Sequence, residues 1–460
     1  MPDHDKNKLS ITDRIKSVFR SLNYRNYRLF FIGQNLSLIG TWMQRIALPW
    51  LVYHITGSAF LLGVVSFAGQ IPTFILAPVA GVITDKFNKH KVLLVTQSFS
   101  LIQASILAYL TLTGQVQIWH IVVLGIVLGS INAFDIPTRQ SFVIEMVEKK
   151  EHLGNAIALN SMMFNSARLI GPTIAGLILS FAGEGICFLL NAVSYLFVIA
   201  SLLLMKLKVV TKIRERVSVV KELKDGFNYT FGFSPIRYLL LLLAVVSLMG
   251  ASFQLLMPVF AKEVLHGSSS TFGFLMGGAG MGALMGALFL ASRETVVKLG
   301  RLIPAAAGLF GVGLILLSFT RYLPLSLVLV VTAGLGLMLH TASSNTILQT
   351  ITDDDKRGRV MSFYTMAIMG TAPFGSLIAG SLAKIIGTPT TMLLGGLSCL
   401  LGSFLFYRKL PELKKIVRPV YIRMGLIPEV ISGIQTASEP VVQHSGIAEI
   451  KPPILSKPAR

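Results

Sequence analysis

Residues 40–63 read GTWMQRIALPWLVYHITGSAFLLG, and residues 250–273 read GASFQLLMPVFAKEVLHGSSSTFG, a second version of the same passage. Small and polar residues recur between the two passages at a constant offset of 210. The identical pairs are Gly40 and Gly250, Gln44 and Gln254, Gly57 and Gly267, Ser58 and Ser268, and Gly63 and Gly273. The chain therefore contains an internal repeat, and its two halves are expected to share one architecture.

A second block repeats at an offset of 204. Its identical pairs are Gly154 and Gly358, Gly171 and Gly375, Ile174 and Ile378, Ala175 and Ala379, and Gly176 and Gly380. The offset is smaller because a connection between the two blocks is shorter in the second half. In a polytopic membrane protein, such a repeat indicates two bundles related by symmetry with a pathway between them. A solute transporter is therefore the leading hypothesis.

The composition is that of a membrane protein, since 53% of the 460 residues are hydrophobic, 13% are charged and the mean hydropathy is +0.69. A helix needs roughly 20 apolar residues to cross a bilayer core. Stretches of that length predict an all-α membrane protein with twelve transmembrane helices in two pseudo-symmetric six-helix bundles. We place the helices near 29–53, 59–83, 91–112, 119–138, 158–181, 186–205, 238–260, 270–291, 301–320, 323–345, 361–383 and 388–407.

The net charge of +20 is unevenly distributed over the predicted loops. With the N-terminus inside, 36 of the 41 Lys and Arg residues fall on the cytoplasmic side and three outside. The positive-inside rule then puts both termini in the cytoplasm of a multi-pass inner (plasma) membrane protein. Anionic lipid headgroups are the expected partner of this charge, and nucleic acid is not needed to explain it.

The predicted spans divide the chain into five parts. They are a cytoplasmic arm at 1–28, a bundle at 29–205, a basic cytoplasmic linker at 206–237, a bundle at 238–408 and a flexible, proline-rich cytoplasmic tail at 409–460. The arm lacks a signal-peptide pattern. Cys187 and Cys399 lie in different predicted helices and are interpreted as small core residues, not as a disulfide.

The end of helix 2, Gly81-Val-Ile-Thr-Asp85-Lys86-Phe-Asn-Lys89-His-Lys91, resembles the loop motif of the major facilitator superfamily. The resemblance implies the major facilitator fold and a gating role for Asp85, because in the family this motif locks the cytoplasmic side in one transport state. Asn88 stands where a glycine is usual. A solvated basic loop is the alternative interpretation.

Helix 5 contains Arg168-Leu-Ile-Gly171-Pro172-Thr-Ile-Ala-Gly176, which resembles the family's helix-5 motif, a feature associated with antiporter-type exporters. Glycines at these positions allow close helix packing, and the proline kinks the helix. With residues 26–28, 56–58 and 135–140, the motif resembles the branch that includes the enterobactin exporter and macrolide and drug efflux proteins. The stretch 123–129 lacks the Arg that many proton-coupled members have in helix 4.

Charged residues inside membrane helices are functional candidates because they are costly there. Arg168 lies midway along helix 5, and Arg45 lies in the outer third of helix 1. In one hypothesis both face the central cavity and attract an anionic substrate. In the other, Arg168 ties helix 5 to helix 4 within the gate. A buried Arg without a nearby anion is costly, and Asp135 is the most plausible protein partner for Arg168.

Proton coupling needs a titratable group whose environment alternates between states. Asp135 is the first candidate and His340 the second, although a lone His in an apolar helix is more often a packing residue. Several polar helix positions can line the pathway or make interhelical hydrogen bonds instead. These are Gln34, Asn35, Gln44, Asn165 and Gln254, and Arg45 is also a pathway candidate.

The sequence predicts a secondary active transporter and not an enzyme, with no catalytic residue, metal or cofactor. No phosphate-binding G-x-x-x-x-G-K-[ST] loop is present, so an ion gradient or the substrate's own gradient is the expected energy source. The branch resemblance favours a monomer that exports an amphipathic drug or siderophore-like molecule in exchange for protons. Import of an anionic nutrient or metal chelate and a transporter-like receptor or scaffold are the alternatives.

Overall fold

Long α-helices make up the chain, and the described residues contain no β-strand. A computed structural model describes residues 19–147, 149–206, 227–293, 296–353 and 356–424. The side chains of residues 77–79, 81–86 and 150 are not described. The predicted all-α fold class is confirmed.

The first half begins with a 3₁₀ turn, Arg20–Asn23, followed by α1 (Arg25–Thr56), α2 (Ala59–Lys86), α3 (Lys89–Leu112) and α4 (Ile118–Met146). The next helical segment, Lys150–Leu203, is interrupted at Gly183, whose φ is 78° and ψ is 179°. Glycine adopts such a positive φ without a steric penalty. We call the part of this segment before Gly183 α5 and the part after it α6.

The second half contains α7 (Ser234–Val264), α8 (Ser269–Ala291), α9 (Leu299–Phe319), α10 (Leu323–Ile351), α11 (Arg357–Ile386) and α12 (Thr388–Arg423). Two of these helices contain π-helical segments, Val246–Gly250 and Phe260–Val264 in α7 and Met366–Gly370 in α11. The hydroxyl of Ser247 donates to the carbonyl oxygen of Ile368 at 2.7 Å. This hydrogen bond joins a π segment of α7 to that of α11.

Ten helical segments of the described chain are long and apolar enough to cross a membrane. One of them, Glu151–Leu203, contains the break at Gly183 and corresponds to two predicted crossings. The helix Arg25–Thr56 is not among the ten. The chain is therefore a multi-pass membrane protein, and the count of twelve crossings stays a prediction.

The two halves meet along two pairs of helices. Within the halves, α1 packs on the α5–α6 segment, and α10 packs on α8 and α9. Between the halves, α5 packs against α8 and α2 packs against α11. Cys187 and Cys399 are buried and free, as expected for small core residues.

The last helix continues beyond residue 408, where the sequence analysis placed the start of a flexible tail. Residues 409–423 belong to α12 and bury one face, formed by Leu410, Leu413, Val417 and Tyr421. The prolines Pro411 and Pro419 lie inside the helix and were misleading as markers of a tail. Residues 425–460 lie outside the described part of the chain.

Candidate functional site: an arginine pair on Trp42 and a buried carboxylate

A polar stripe runs along one face of α1. Arg28, Asn35, Trp42 and Arg45 are spaced by seven, seven and three residues, which places them on the same side of a helix. All four are partly or fully exposed, and Arg45 is exposed although it lies well inside α1. Its charged and aromatic neighbours, Arg139 and Tyr195, belong to α4 and α6. Arg45 therefore faces a water-accessible space lined by helices of the first half.

Two guanidinium groups lie against the indole ring of Trp42. The Arg45 Cζ atom is 5.0 Å from the ring centroid, and the Arg168 Cζ atom of α5 is 5.9 Å from it. The ring of Phe164 packs edge-on against the same indole at a centroid distance of 5.7 Å. Cation–π contacts of this kind hold the cations in place. The site thus combines two positive charges with an aromatic surface.

Gly171 brings this site together. A Cβ atom at residue 171 would lie 2.5 Å from the Cβ of Trp42, so a larger residue would force α5 away from α1. Arg168 lies almost one turn before Gly171 and therefore reaches the indole. The glycine of the helix-5 motif is required here for close approach, as its residue type suggests.

Arg168 does not pair with Asp135, so the predicted partnership was wrong. The Arg139 Nη2 atom lies 3.0 Å from Asp135 Oδ2, and the two residues are four apart on α4. Within the described residues, Arg168 has neither an ion pair nor a hydrogen bond, and its neighbours are Trp42 and Arg45. Arg139 pairs with the Asp135 carboxylate instead, because side chains four residues apart face each other on a helix. The hypothesis that Arg168 ties α5 to α4 loses its basis.

Asp135 is the one buried acidic side chain in the described part of the chain, with 4% of its surface exposed. Two side chains of α3 donate to its Oδ1 atom, the Thr96 hydroxyl at 3.0 Å and the Gln97 amide at 2.7 Å. Arg139 neutralises the other oxygen. Asp135 therefore has a complete set of partners and joins α3 to α4.

The halves are joined at the end of the bundle that lies opposite Arg25 and Arg423, which we call the outer end. The hydroxyl of Tyr53 in α1 donates to the carboxylate of Glu263 in α7. Trp50 stacks on Phe272 of α8 with ring centroids 5.8 Å apart. These contacts close the outer end of the space between α1 and the second half.

Glycines allow the backbones of the two halves to touch near the outer end. A Cβ atom at Gly176 of α5 would lie 2.6 Å from the Cα of Gly273 in α8. A Cβ atom at Gly63 of α2 would lie 3.3 Å from the Cα of Gly380 in α11. Each of these residues belongs to one of the repeated blocks, so the repeat marks the interface between the halves.

The loop motif after α2 is only partly described. Gly81, Asp85 and Lys86 belong to α2, but their side-chain surroundings are not described, so their gating role stays a prediction. The Lys89 Nζ atom lies 2.7 Å from Glu145 Oε1 at the end of α4. Asn88 caps α3 by accepting from the backbone N–H of Lys91 at 3.1 Å. The capping role explains why an asparagine is acceptable at the position where a glycine is usual.

The remaining candidates lie in three different environments. Gln34 and Gln44 are buried, and Gln44 hydrogen-bonds Asn191 of α6 and Gln103 of α3. His340 is fully buried in the second half, 3.4 Å from the carbonyl oxygen of Ile303. The other polar candidates are half-buried, namely Asn35, Asn165 and Gln254.

Several residues of these sites were missed at the level of sequence. Trp42 was not singled out because an aromatic residue in a membrane helix is common. The Asp135–Arg139 pair could have been found from its i, i+4 spacing. Thr96 and Gln97 carry no such signal, because their contact with Asp135 depends on how α3 and α4 pack.

The fold is that of known transporters. The structure superposes on a bacterial homologue of the human lysosomal transporter Spinster with a TM-score of 0.67 at 12% identity, covering 85% of this chain and 98% of that one. A bacterial homologue of the iron transporter ferroportin gives a TM-score of 0.63 at 17% identity, covering 84% and 98%. Residues 16–440 match the family model of the MFS type described as transmembrane secretion effector. The chain belongs to this major facilitator family.

Curated relatives are transporters that this chain covers almost completely. The staphyloferrin A transporter of Staphylococcus aureus is 28% identical over 83% of this chain and 95% of that protein. The multidrug efflux pump Tap of Mycolicibacterium fortuitum is 24% identical over the same shares. Macrolide efflux protein A of Streptococcus pyogenes is 22% identical over 81% and 94%. The chain is a transporter of this superfamily and not an enzyme, as the sequence predicted.

Proposed function

We propose that this transporter exports an amphipathic small molecule across the plasma membrane in exchange for protons. The transported molecule occupies the space beside Trp42, and the two bundles rock about it so that the space opens to one side at a time. Relatives named as multidrug and macrolide efflux proteins support export. The exposed polar face of α1 supports a pathway for molecules that are not purely apolar.

The burial of Asp135 among partners from two helices is the observation that supports proton coupling. A carboxylate removed from water is stable only while its partners stay in place. Thr96 and Gln97 are on α3, whereas Arg139 is on α4, so a change in α3–α4 packing alters the balance between the charged and protonated forms. Asp135 can thereby bind a proton in one transport state and release it in the other.

Gating is the proposed role of Asp85 with Lys86, Lys89 and Lys91 at the cytoplasmic end. The Lys89–Glu145 ion pair supports it, because it already connects the motif loop to the end of α4. Gly176 and Gly273 bring the backbones of the two halves into direct contact, and the halves can move against each other there. The proposed cytoplasmic side is the end that holds Arg25 and Arg423.

Reconstituted protein tests this proposal directly. Proteoliposomes with an imposed pH gradient are assayed with a panel of dyes, macrolides and chelators. The wild type is expected to move at least one of these compounds across the vesicle membrane only when the gradient is present. Asp135→Asn should transport by facilitated diffusion but lose the response to the gradient. The matched control is Asp353→Asn, an exposed acid of the second half that pairs with Arg423. A gradient response that persists in Asp135→Asn contradicts the coupling role.

Uptake of an anionic chelate is the second candidate function, and the arginine pair on Trp42 favours it. A staphyloferrin A transporter among the relatives is consistent with that class of cargo. The two directions are distinguished by reversing the gradient in the same vesicles. Export requires transport against an opposing proton flow, whereas proton-linked uptake requires both flows in the same direction.

A further inference from the structure

We propose that the acidic group of an organic anion binds between Arg45 and Arg168, with its apolar part on Trp42 and Phe164. This inference rests on the proposed function, because it names the substrate class of the same transporter. The proposed ligand has at least one carboxylate-like group attached to an apolar body. Four properties of the site lead to it.

The first property is uncompensated charge. Arg45 and Arg168 influence each other electrostatically and form no ion pair within the described residues. Asp135, the buried acid of this half, is already occupied by Arg139, Thr96 and Gln97. Two like charges inside a membrane bundle are costly unless an anion joins them. A ligand with a negative charge supplies the missing partner.

The second property is the geometry of the two cations. Both guanidinium carbons lie within 6 Å of one indole centroid, at 5.0 Å for Arg45 and 5.9 Å for Arg168. Each guanidinium carries five N–H donors in a plane, which suits the two oxygens of a carboxylate. Arg45 and Arg168 also act on each other electrostatically, so an anion between the two guanidinium groups is attracted by both.

The third property is the fixed position of the Arg168 backbone. A Cβ atom at Gly280 of α8 would lie 3.0 Å from the Arg168 carbonyl oxygen, so α5 is held directly against the second half. On its other side Gly171 holds α5 against Trp42. The cation that contacts the ligand is therefore at the boundary between the two moving halves, where a bound substrate can bias their arrangement.

The fourth property is the apolar surface next to the charges. Phe164 is 43% exposed, lies one turn before Arg168 on α5 and packs edge-on against Trp42. A small inorganic anion would leave these side chains uncovered. An amphipathic anion covers them and satisfies the arginines at the same time, which selects it over free phosphate or chloride.

Binding can be measured at equilibrium through Trp42 itself. The chain contains three tryptophans, so Trp50→Phe with Trp119→Phe leaves Trp42 as the sole indole in the full-length protein. The protein is placed in nanodiscs of zwitterionic lipid and titrated with octanoate or with octanamide, its uncharged counterpart. Octanoate should saturate the Trp42 emission change at a concentration about tenfold lower, as expected for charge-assisted hydrogen bonds.

Variants separate recognition from packing. Arg168→Gln and Arg45→Gln should each abolish the preference for octanoate, and Arg168→Lys should retain part of it. The matched control is Arg321→Gln, because Arg321 donates to the carbonyl oxygens of Ser318 and Thr320 at the end of α9, in the second half of the chain. Circular dichroism checks that each variant is folded, and the octanoate–octanamide comparison in the tryptophan variant needs no arginine substitution.

The outcomes distinguish this inference from the proposed function. Equal affinity for octanoate and octanamide, or an undiminished preference in both glutamine variants, overturns the anion site. Gradient-driven transport of neutral amphiphiles would then still uphold the exporter. Conversely, a clear octanoate preference with no response to a pH gradient upholds the anion site and rejects proton coupling.

Discussion

Tyr53 and Glu263 occupy the same position in the two copies of the repeat, 210 residues apart, and they are hydrogen-bonded to each other across the interface. Lys262 lies over the Tyr53 ring at 5.6 Å, which adds a cation–π contact to the same junction. The pseudo-symmetry axis therefore passes close to this pair. The Tyr53–Glu263 hydrogen bond therefore stabilises the closed arrangement of the outer end.

We predict that Tyr53→Phe opens the outer end more often. Removing the hydroxyl deletes one hydrogen bond to a partly exposed carboxylate, a loss of about 1 kcal/mol that shifts the closed-to-open ratio by roughly fivefold. Spin labels on Thr113→Cys and Tyr322→Cys at the outer end should show a larger population of long distances. The native cysteines are buried and do not interfere with labelling.

Tyr109→Phe is the control for that experiment, because Tyr109 is 61% exposed. Its distance distribution should match that of the wild type. An unchanged distribution in Tyr53→Phe would show that the outer end is held by the glycine contacts and the Trp50–Phe272 stack alone.

We predict that Gly176→Val damages the interface between α5 and α8. The new side chain would have to displace the backbone of Gly273, and overpacking of this kind costs roughly 1–3 kcal/mol. Thermal unfolding in detergent should show a lower Tm, and transport should fall. Gly154→Ala is the matched control on the same helical segment, since a Cβ there meets nothing within 4 Å. Equal Tm values for both variants would contradict the close contact.

We predict that Asp85→Asn lowers the transport rate by about tenfold, equivalent to a change of about 1.4 kcal/mol in the gating equilibrium. Expression and membrane insertion should be unaffected, because the substitution conserves shape. Transport per inserted molecule is the required measurement. Glu412→Gln, which removes an exposed acid paired with Lys409, serves as the control. Wild-type transport by Asp85→Asn would count against the gating role.

We predict that two truncations of the C-terminus differ sharply. A chain ending at residue 424 keeps all of α12 and should retain the Tm of the full protein. A chain ending at 408 loses the buried side chains of Leu410, Leu413, Val417 and Tyr421, each worth about 1–3 kcal/mol of apolar burial, and should unfold at lower temperature. If the chain ending at residue 424 loses function but keeps the Tm of the full protein, the scaffold hypothesis gains support.

The repeat made the fold predictable, because its glycines are the residues on which the halves touch. Gly176 and Gly273 belong to different repeated blocks and meet in the structure. The end of α12 was not predictable in the same way, since Pro411 and Pro419 resemble helix breakers and only the packing of Leu410 and Leu413 reveals the helix. Prolines are tolerated where packing compensates for the lost backbone hydrogen bond.

The position of Arg168 along its helix was predictable from the sequence, but the neighbour that its side chain faces was not. Hydropathy placed Arg168 midway along its helix, and its cost in a membrane marked it as functional. Which neighbour it faces depends on the rotation of α5 about its axis, which Gly171 fixes through contact with Trp42. Asp135 was chosen as the partner of Arg168 because it lies on the neighbouring helix α4, yet the carboxylate pairs with Arg139 of that same helix.

The π segments of α7 limit how far the two halves can be superposed. Each residue turns an α-helix by about 100°, so a π segment changes the direction of every side chain beyond it relative to an uninterrupted helix. The offset of 210 is nevertheless constant across α1, which is regular, and α7, which has two π segments. Side chains at matching positions in the two halves therefore point in different directions, and Gln254 lacks the buried, hydrogen-bonded surroundings that the described residues give Gln44. Divergence of the two copies took place in the backbone as well as in the side chains.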